Sequence, residues 1–475
     1  MLTRRRFLRE SSAAALAVAA GCGSERETAP EGTPNILVLL TDDQRWDTIG
    51  AAGNSAVKTP NMDRLASEGV RFVNNFVTTS ICAVSRASIF TGLYARCHGV
   101  HDFRTPLSPE LHAYSYPVRL REEAGYRTGF IGKYGVGDAA AVADAGSRYD
   151  YFEGFPGQGR YLVDGRAHMT EHLGNQAVEF LDGSSADSPW CLSISFKAPH
   201  VQDGEAPYFL SDPKYDDLLG DVELPAFSKM DPKYFNELPE YLRQSENRVR
   251  WEQRFRTREV WEESVKRYYA LIHGVDVQIG RLLGELENRG MLDNTLVLFT
   301  GDNGFYLGER GLAGKWYMHE ESIRTPLVAT DFRRPAGGSK RSEMTLNIDV
   351  SPTILSYAGL PIPDSMNGRD LRPLITGETE SWRTEWFYEH LFEHPRIPKS
   401  EGVRTEQWKY FVFPHNEPRY ETLYDLVHDP EELKNLASSR EHAERLAEMR
   451  QKREQWIQSL EAWDLGGEWT EPASV

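Results

Sequence analysis

Uninterrupted apolar runs recur through the first two thirds of the chain, and each stops abruptly at polar residues. Asn35 to Leu40 reads NILVLL and breaks into TDDQ; Thr295 to Thr300 reads TLVLFT and breaks into GDNG. Such runs suit strands buried on both faces, as in a parallel sheet covered by helices. TGFIGK (128–133) and WCLSISFKAPH (190–200) read the same way. Between them the apolar spacing takes the helical period in MDRLASEGV (62–70), LHAYSYPVRLREEAG (111–125) and an amphipathic stretch from about Trp261 to Arg289. In ICAVSRASIFTG (81–92) the apolar residues suit a helix that Ser85 is placed to cap. Alternating strands and helices predict an α/β fold, with a large doubly wound, mostly parallel sheet flanked by helices.

The pattern changes twice. Residues 201–260 are polar, aromatic and irregular, and read as an excursion over the sheet edge, placed to act as a lid. After MNGRDLRPLITGETE (366–380) come short alternating segments, WFYEH, VRTEQWKYFVF and TLYDL, then a charged helix from about Glu431 to Leu460. This predicts a smaller C-terminal antiparallel sheet with a packed helix. The expected organisation is an α/β domain over 34–378 and a C-terminal subdomain over 379–475, preceded by a linker at 23–33 and an export segment at 1–22.

The export segment follows from its own pattern. MLTRRRFLRE precedes SSAAALAVAA, an apolar run too short to span a bilayer, so it reads as a signal peptide. Arg5-Arg6 with Phe7-Leu8 resembles a twin-arginine signal, and Ala-Ala-Gly-Cys at 19–22 resembles a lipoprotein box with Cys22 as the acyl acceptor; ordinary cleavage near Ala20 is the alternative. The expectation is a periplasmic or cell-surface protein, with membrane contact only through such an anchor. A formal charge of −17 argues against nucleic acid as a partner. Cys97 and Cys191 read as buried small hydrophobes, and no cysteine spacing suggests zinc or a disulfide framework.

Ligands of open α/β sheets bind beyond the carboxyl ends of strands. Two strands here end in Asp42-Asp43 and Asp302-Asn303, an all-oxygen set suited to a hard cation such as calcium or, less well, magnesium. The helix starting near Ser85 offers free N–H groups, Arg86 a forked cation, Lys133 and Lys315 further charge, and His200 an imidazole. Singly, each reads equally as a turn cap, a surface charge or a structural histidine. Together they describe a site for a tetrahedral anion, with sulfate and phosphate esters both fitting.

These residues sit in longer motifs: PNILVLLTDDQRWDTIG, CAVSRASIFTGLYARCHGV, AGYRTGFIGKYGVG, FKAPH, LDNTLVLFTGDNGFYLGERGLAGKW, EESIRTPL, DVSPTILSYAGL and LYDLVHDPEELKNLA. In that order, from about residue 34 to 460, they resemble the type I, formylglycine-dependent sulfatases of the alkaline-phosphatase superfamily. The resemblance implies that Cys82 is oxidised to formylglycine (3-oxoalanine) by a formylglycine-generating enzyme and hydrated to a diol. One diol oxygen attacks sulfur, the alcohol leaves, and the second hydroxyl expels sulfate. It implies Asp42, Asp43, Asp302, Asn303 and modified Cys82 as calcium ligands, Arg86 orienting the formylglycine, Lys133 and Lys315 on the sulfuryl group, and His200 with Lys315 protonating the leaving oxygen. Twin-arginine export then places the modification in the cytoplasm, before folding.

GFYLGERGLAGKW followed by EESIRTPL is most similar to sulfatases acting on sulfated sugars. Aromatic residues of 201–268 are candidates to stack on the sugar. His390, His394 and Arg396, in YEHLFEHPRIP, either reach the sugar or form a hinge between the domains. Three positions depart from the family: Val84 replaces Pro or Ala, Arg310 a common His, and Gly135 the histidine credited with deprotonating the diol, leaving His98 or a water for that task. The competing readings are a phosphate or phosphonate monoester hydrolase and a non-catalytic lipoprotein that binds sulfated glycans.

Overall fold

The computed structural model describes residues 32–472, apart from 163, 164, 166, 205, 221, 225, 226, 379 and 380. The export segment, Cys22 and most of the linker lie outside the described residues. In chain order the strands are β1 Asn35–Asp42, β2 Val70–Phe76, β3 Arg127–Lys133, β4 Tyr151–Phe155, β5 Trp190–Pro199, β6 Thr295–Gly301, β7 Tyr306–Leu307, β8 Ala313–Gly314, β9 Leu327–Asp331, β10 Ser339–Leu346, β11 Glu385–His390, β12 Ser400–Thr405, β13 Trp408–Val412 and β14 Glu421–Asp425. The main sheet has the order β10-β2-β9-β6-β1-β5-β3-β4. Only β9 runs against the others, pairing antiparallel with β2 and β6.

Strand β1 shows why both faces are covered. Ile36, Val38 and Leu40 join the core shared with helix Cys82–Thr91, while Leu37 and Leu39 join the core under the long helix Arg258–Asn288. Period-two alternation thus feeds two apolar layers from one strand. The expected helix at 111–125 is two, Pro109–Tyr114 and Tyr116–Glu123, broken where Ser115 is extended before Tyr116-Pro117.

The smaller sheet, β11-β12-β13-β14, is antiparallel throughout, and helix Ala443–Glu461 packs on it through Trp456, stacked on Phe387 with ring centroids 6.2 Å apart. That helix begins later than its charged sequence suggests. Glu432 is left-handed at φ 57°, and the Asp429 carboxylate accepts from the Leu433 and Lys434 N–H groups at 3.0 and 2.8 Å, making a turn. A buried ion network joins the two sheets: Glu320 meets Lys409 at 2.6 Å and Arg404 at 3.1 Å, and Lys409 meets Glu432 at 2.6 Å. Among the described residues no helix is long and apolar enough to cross a membrane.

Candidate active site

Four adjacent strands deliver the acids, a lysine and the histidine to one edge. β1 ends on Asp42, β3 on Lys133, β5 on Pro199 just before His200, and β6 on Gly301 just before Asp302-Asn303. Leu40 pairs with both Ser195 and Thr300, so these side chains leave the sheet at one level. Beyond an irregularity between Leu40 and Asp42, Asp43 adopts φ 65°. Tyr268 of the long helix fixes that turn, its hydroxyl donating to the Asp43 carbonyl at 2.7 Å and accepting from Arg45 N–H at 3.2 Å.

Cys82 enters as the first residue of helix Cys82–Thr91, every residue of which is buried. Ser85 does not cap this helix: the N-cap is extended Ile81 without a side-chain bond, and Ser85 Oγ instead accepts from Asn347 Nδ2 at 2.9 Å. The presenting loop is clamped by Thr78 N–H to Asn347 Oδ1 (3.1 Å), Ser80 Oγ to the Ser322 carbonyl (2.7 Å) and Glu389 N–H, from the smaller sheet, to the Thr78 carbonyl (3.0 Å).

The pieces converge on Asp42. Cys82 Sγ lies 3.3 Å from Asp42 Oδ1, and Lys315 Nζ lies 2.6 Å from Sγ while ion-pairing Asp43. Lys133 ion-pairs Asp42 and donates to Gln158 Oε1 at 2.7 Å. Arg86 Nε donates to Asp302 Oδ2 at 2.9 Å, its Nη2 is 3.5 Å from Asp42, and its Nη1 donates to the Lys133 carbonyl and Ser195 Oγ. Asp302 Oδ1 accepts from Asp43 N–H at 3.1 Å, and Asn303 Nδ2 donates to Asp43. His200 Nδ1 donates to the Val201 carbonyl at 2.7 Å, leaving Nε2 facing Asp43 Oδ2 at 3.5 Å. Apart from the part-buried Gln158, none of these site residues is more than 4% exposed.

Crowding leaves its mark on the protonation equilibria. Burial would raise the Asp42 carboxyl, but Lys133, His200, Lys315 and Arg86 outweigh it and hold it well below the usual range. Asp43 and Asp302 go the other way: burial raises Asp43 against the pull of Lys315, and burial with the Asp42 charge raises Asp302 to about 6. Burial also pushes the Cys82 thiol to about 12, so it is not a thiolate at neutral pH, and holds His200 well below the ordinary histidine range, hence neutral.

A cation fits here. The Asn303 Oδ1 atom is buried with no hydrogen-bond donor among the described residues, and two carboxyls stay raised beside three cationic side chains. One atom each of Asp42, Asp43, Cys82 and His200 lies within 4.8 Å of the others, a grouping that includes His200 and leaves out Asp302, whose oxygens are taken by Arg86 and the Asp43 N–H.

Other residues named from sequence lie elsewhere. His98 is buried with Nε2 3.0 Å from Ser88 Oγ and Nδ1 accepting from Val100 N–H at 3.1 Å, and burial lowers it to about 3; both nitrogens are engaged away from Cys82, so it does not replace the histidine absent at 135. Arg310 is buried and donates to the Glu432 carbonyl at 2.6 Å. His390 is wholly buried at the end of β11; His394 rests on Phe392 (5.9 Å); Arg396 pairs with Glu246 (2.6 Å). The last two line a cavity of about 380 Å³ with Tyr241, Lys399 and His415. Trp261 and Tyr268 are core residues, which removes them as sugar-stacking surfaces. Sequence reasoning missed Gln158, Ser195 and Lys197. Lys197 is buried over the Tyr161 ring, donates to the Val201 carbonyl at 3.0 Å, and falls to about 8 through burial and the Lys133 charge. Its position three residues before His200 on β5 was the available signal.

An anion-directed hydrolytic centre at the carboxyl edge of this sheet, with a smaller antiparallel sheet behind it, defines the alkaline-phosphatase superfamily of hydrolases. The sulfatase family profile matches residues 34–360, and the profile for the C-terminal region of N-sulphoglucosamine sulphohydrolase matches 308–459. The chain is 28% identical to an N-acetylglucosamine-6-O-sulfatase of Bacteroides thetaiotaomicron, across 92% of this chain and 88% of that one. A structure solved with its substrate D-glucosamine-2-N,6-O-disulfate superposes with TM-score 0.78 at 26% identity, covering 90% of this chain and 98% of the other. The phosphonate monoester hydrolase of Agrobacterium radiobacter shares the fold, with TM-score 0.75 at 24% identity over 90% of this chain and 95% of its own. The chain belongs to the sulfatase family and is a sulfatase.

Proposed function

We propose that this sulfatase releases inorganic sulfate from a sulfated carbohydrate, using formylglycine made from Cys82 and a bound calcium ion. The sugar class is suggested by the N-acetylglucosamine-6-O-sulfatase and the disulfated glucosamine complex among its relatives. The observation that carries the reading is Cys82 at a helix start, between Asp42 Oδ1 and Lys315 Nζ, in a cluster whose Asn303, bonded to Asp43, keeps an unsatisfied oxygen.

Charge explains the need for metal. Asp42, Asp43 and Asp302 are paired with Lys133, Lys315 and Arg86, the weakened Lys197 stands beside them, and His200 is neutral. Cations already paired with acids hold an anion poorly; a divalent cation, which the aspartates and Asn303 would hold, would add positive charge where a sulfuryl group gathers negative charge. A hydrated aldehyde at position 82 supplies an oxygen nucleophile and a second hydroxyl to release sulfate, which a thiol at about 12 does not. Arg86 locks Asp302 and the β3 end in place. Lys133, paired with Asp42, and Lys315, paired with Asp43, supply the ammonium groups for the sulfuryl oxygens. Burial would lower Lys315, but Asp43, with Cys82, Asp42 and Asp302, outweighs it and holds the ammonium above its ordinary value, so it stays protonated beside position 82 and is the proton donor there. His200, with Nδ1 committed to Val201, offers Nε2 to accept or relay that proton.

We further infer that the chain is exported by the twin-arginine route and anchored through Cys22, and that His394 and Arg396 contact the sugar from the smaller sheet. Peptide mass spectrometry of residues 72–86 from the native host tests the core of the reading. The aldehyde mass with sulfate release from N-acetylglucosamine 6-sulfate supports it; an intact thiol in active protein refutes it. Cys82→Ser should trap a sulfated serine, because that side chain has no second hydroxyl with which to expel sulfate. An active serine variant without the adduct would end this mechanism.

A further inference from the structure

Helix Glu246–Arg254 of the excursion carries a face that the proposed chemistry leaves unused. Asn247, Arg250 and Arg254 recur at i, i+3 and i+7, one side of a helix. Asn247 Nδ2 donates to the Ala313 and Lys315 carbonyls at 3.0 and 2.8 Å, so this side packs directly on the loop that presents Lys315. Arg250 lies over the Trp316 ring, its Cζ 4.7 Å from the centroid. Arg254 stands one turn further on, over Tyr208, and reaches Asp203, three residues beyond His200, at 3.1 Å.

Arg254 is the anomaly. Its side chain is 2% exposed, yet Nε and Nη1 have no hydrogen-bond acceptor among the described residues. A buried guanidinium with two unmet nitrogens is costly to keep. Among the described residues its one carboxylate partner, Asp203, is 54% exposed, so the pair is weak and readily exchanged. A purely structural arginine would have both terminal nitrogens held by carbonyls or a buried acid, as Asp349 holds those of Arg383, where only Nε is unmet. Arg254 instead has one unmet nitrogen on each side of Nη2, so release of Asp203 from Nη2 opens a two-nitrogen fork suited to an oxyanion, beside the loop that carries His200.

We propose that Arg254, assisted by Arg250, forms a second anion subsite that binds an oxyanion next to the scissile sulfate, either an N-sulfo group on the same sugar or a carboxylate on its neighbour. The inference rests on the sulfatase reading above and names its substrate class: sugars with two negative groups. The substrate oxyanion displaces Asp203 into water and takes Nη2 together with one of the unmet nitrogens beside it. Two substrate pairs separate the sources. One is glucosamine 6-sulfate bearing an N-sulfo or an N-acetyl group; the other is a 6-sulfated disaccharide with a uronic acid or its alcohol counterpart.

The experiment compares kcat/KM within each pair for wild type, Arg254→Gln, Arg254→Lys and Asp203→Asn, with a thermal melt of each. Wild type should prefer the doubly charged member of one pair tenfold or more. Arg254→Gln should lower that preference at least tenfold through KM, and Arg254→Lys should restore part of it. Asp203→Asn, at an exposed position, should raise the preference and serves if Arg254→Gln unfolds. No wild-type preference in either pair, a preference surviving in Arg254→Gln, or one unmoved in Asp203→Asn overturns the proposal. Wild type that carries the aldehyde yet releases sulfate from none of the four compounds, nor from an aryl sulfate, removes the sulfatase reading beneath it as well.

Discussion

Replacing Gly135 by alanine tests how tightly the centre is built. Gly135 follows β3, has φ +80°, and a Cβ there would sit 2.7 Å from Arg86 Cδ. The backbone alone costs about 1–2 kcal/mol for an L side chain in this region. Overpacking adds about 1–3 kcal/mol. Arg86 has little freedom to yield, since Asp302, the Lys133 carbonyl and Ser195 hold its guanidinium. The expected loss is therefore about 2–5 kcal/mol, read as a lower midpoint in urea denaturation, with kcat falling because Arg86 and Asp302 shift together. Gly135→His, which restores the residue usual in the family, should be no better. An alanine or histidine variant as stable and as active as wild type would show that Arg86 is not fixed as described, and that 135 is an open position rather than a closed one.

Two further substitutions probe stability away from the centre. Glu320→Gln leaves Lys409 and Arg404 buried with one carboxylate fewer between them, and should cost about 3–5 kcal/mol; an unchanged melting temperature would mean the network does not hold the sheets together. Glu389 is fully buried, and burial, against Arg96, raises its carboxyl to about 7 from 4.5. A raised folded value means the folded state holds the proton more tightly, so its contribution is complete below about pH 4.5 and is lost as pH climbs through 7. Its size is about 3 kcal/mol at most. Glu389→Gln should flatten the fall in unfolding free energy between pH 4.5 and 7; an unaltered slope would place the titration in another group.

The sheet and the acids were legible because their signals are local. NILVLL and TLVLFT are buried on both faces, and each run ends where the chain meets the substrate edge, so Asp42-Asp43 and Asp302-Asn303 announce themselves by interrupting an apolar pattern. Residues whose roles are set by distant partners gave no such sign. Ser85 looks like a cap, yet Asn347, 262 positions away, claims its hydroxyl and leaves the helix to begin at Cys82. The stretch after His428 has a helical composition, but the Asp429 carboxylate and the left-handed Glu432 turn it aside until Ala443. Arg254 is the extreme case. In VRWEQRFRTRE it is one basic residue among several, with a spacing that equally describes a solvated face. Only tertiary packing, over Tyr208 and beside Asp203, buries it, and only burial turns an ordinary surface charge into an unsatisfied one. Patterning therefore exposes the groups that handle the sulfate ester, which sit at strand ends, and conceals those that select the sugar, which sit on an excursion whose position is decided by tertiary contact.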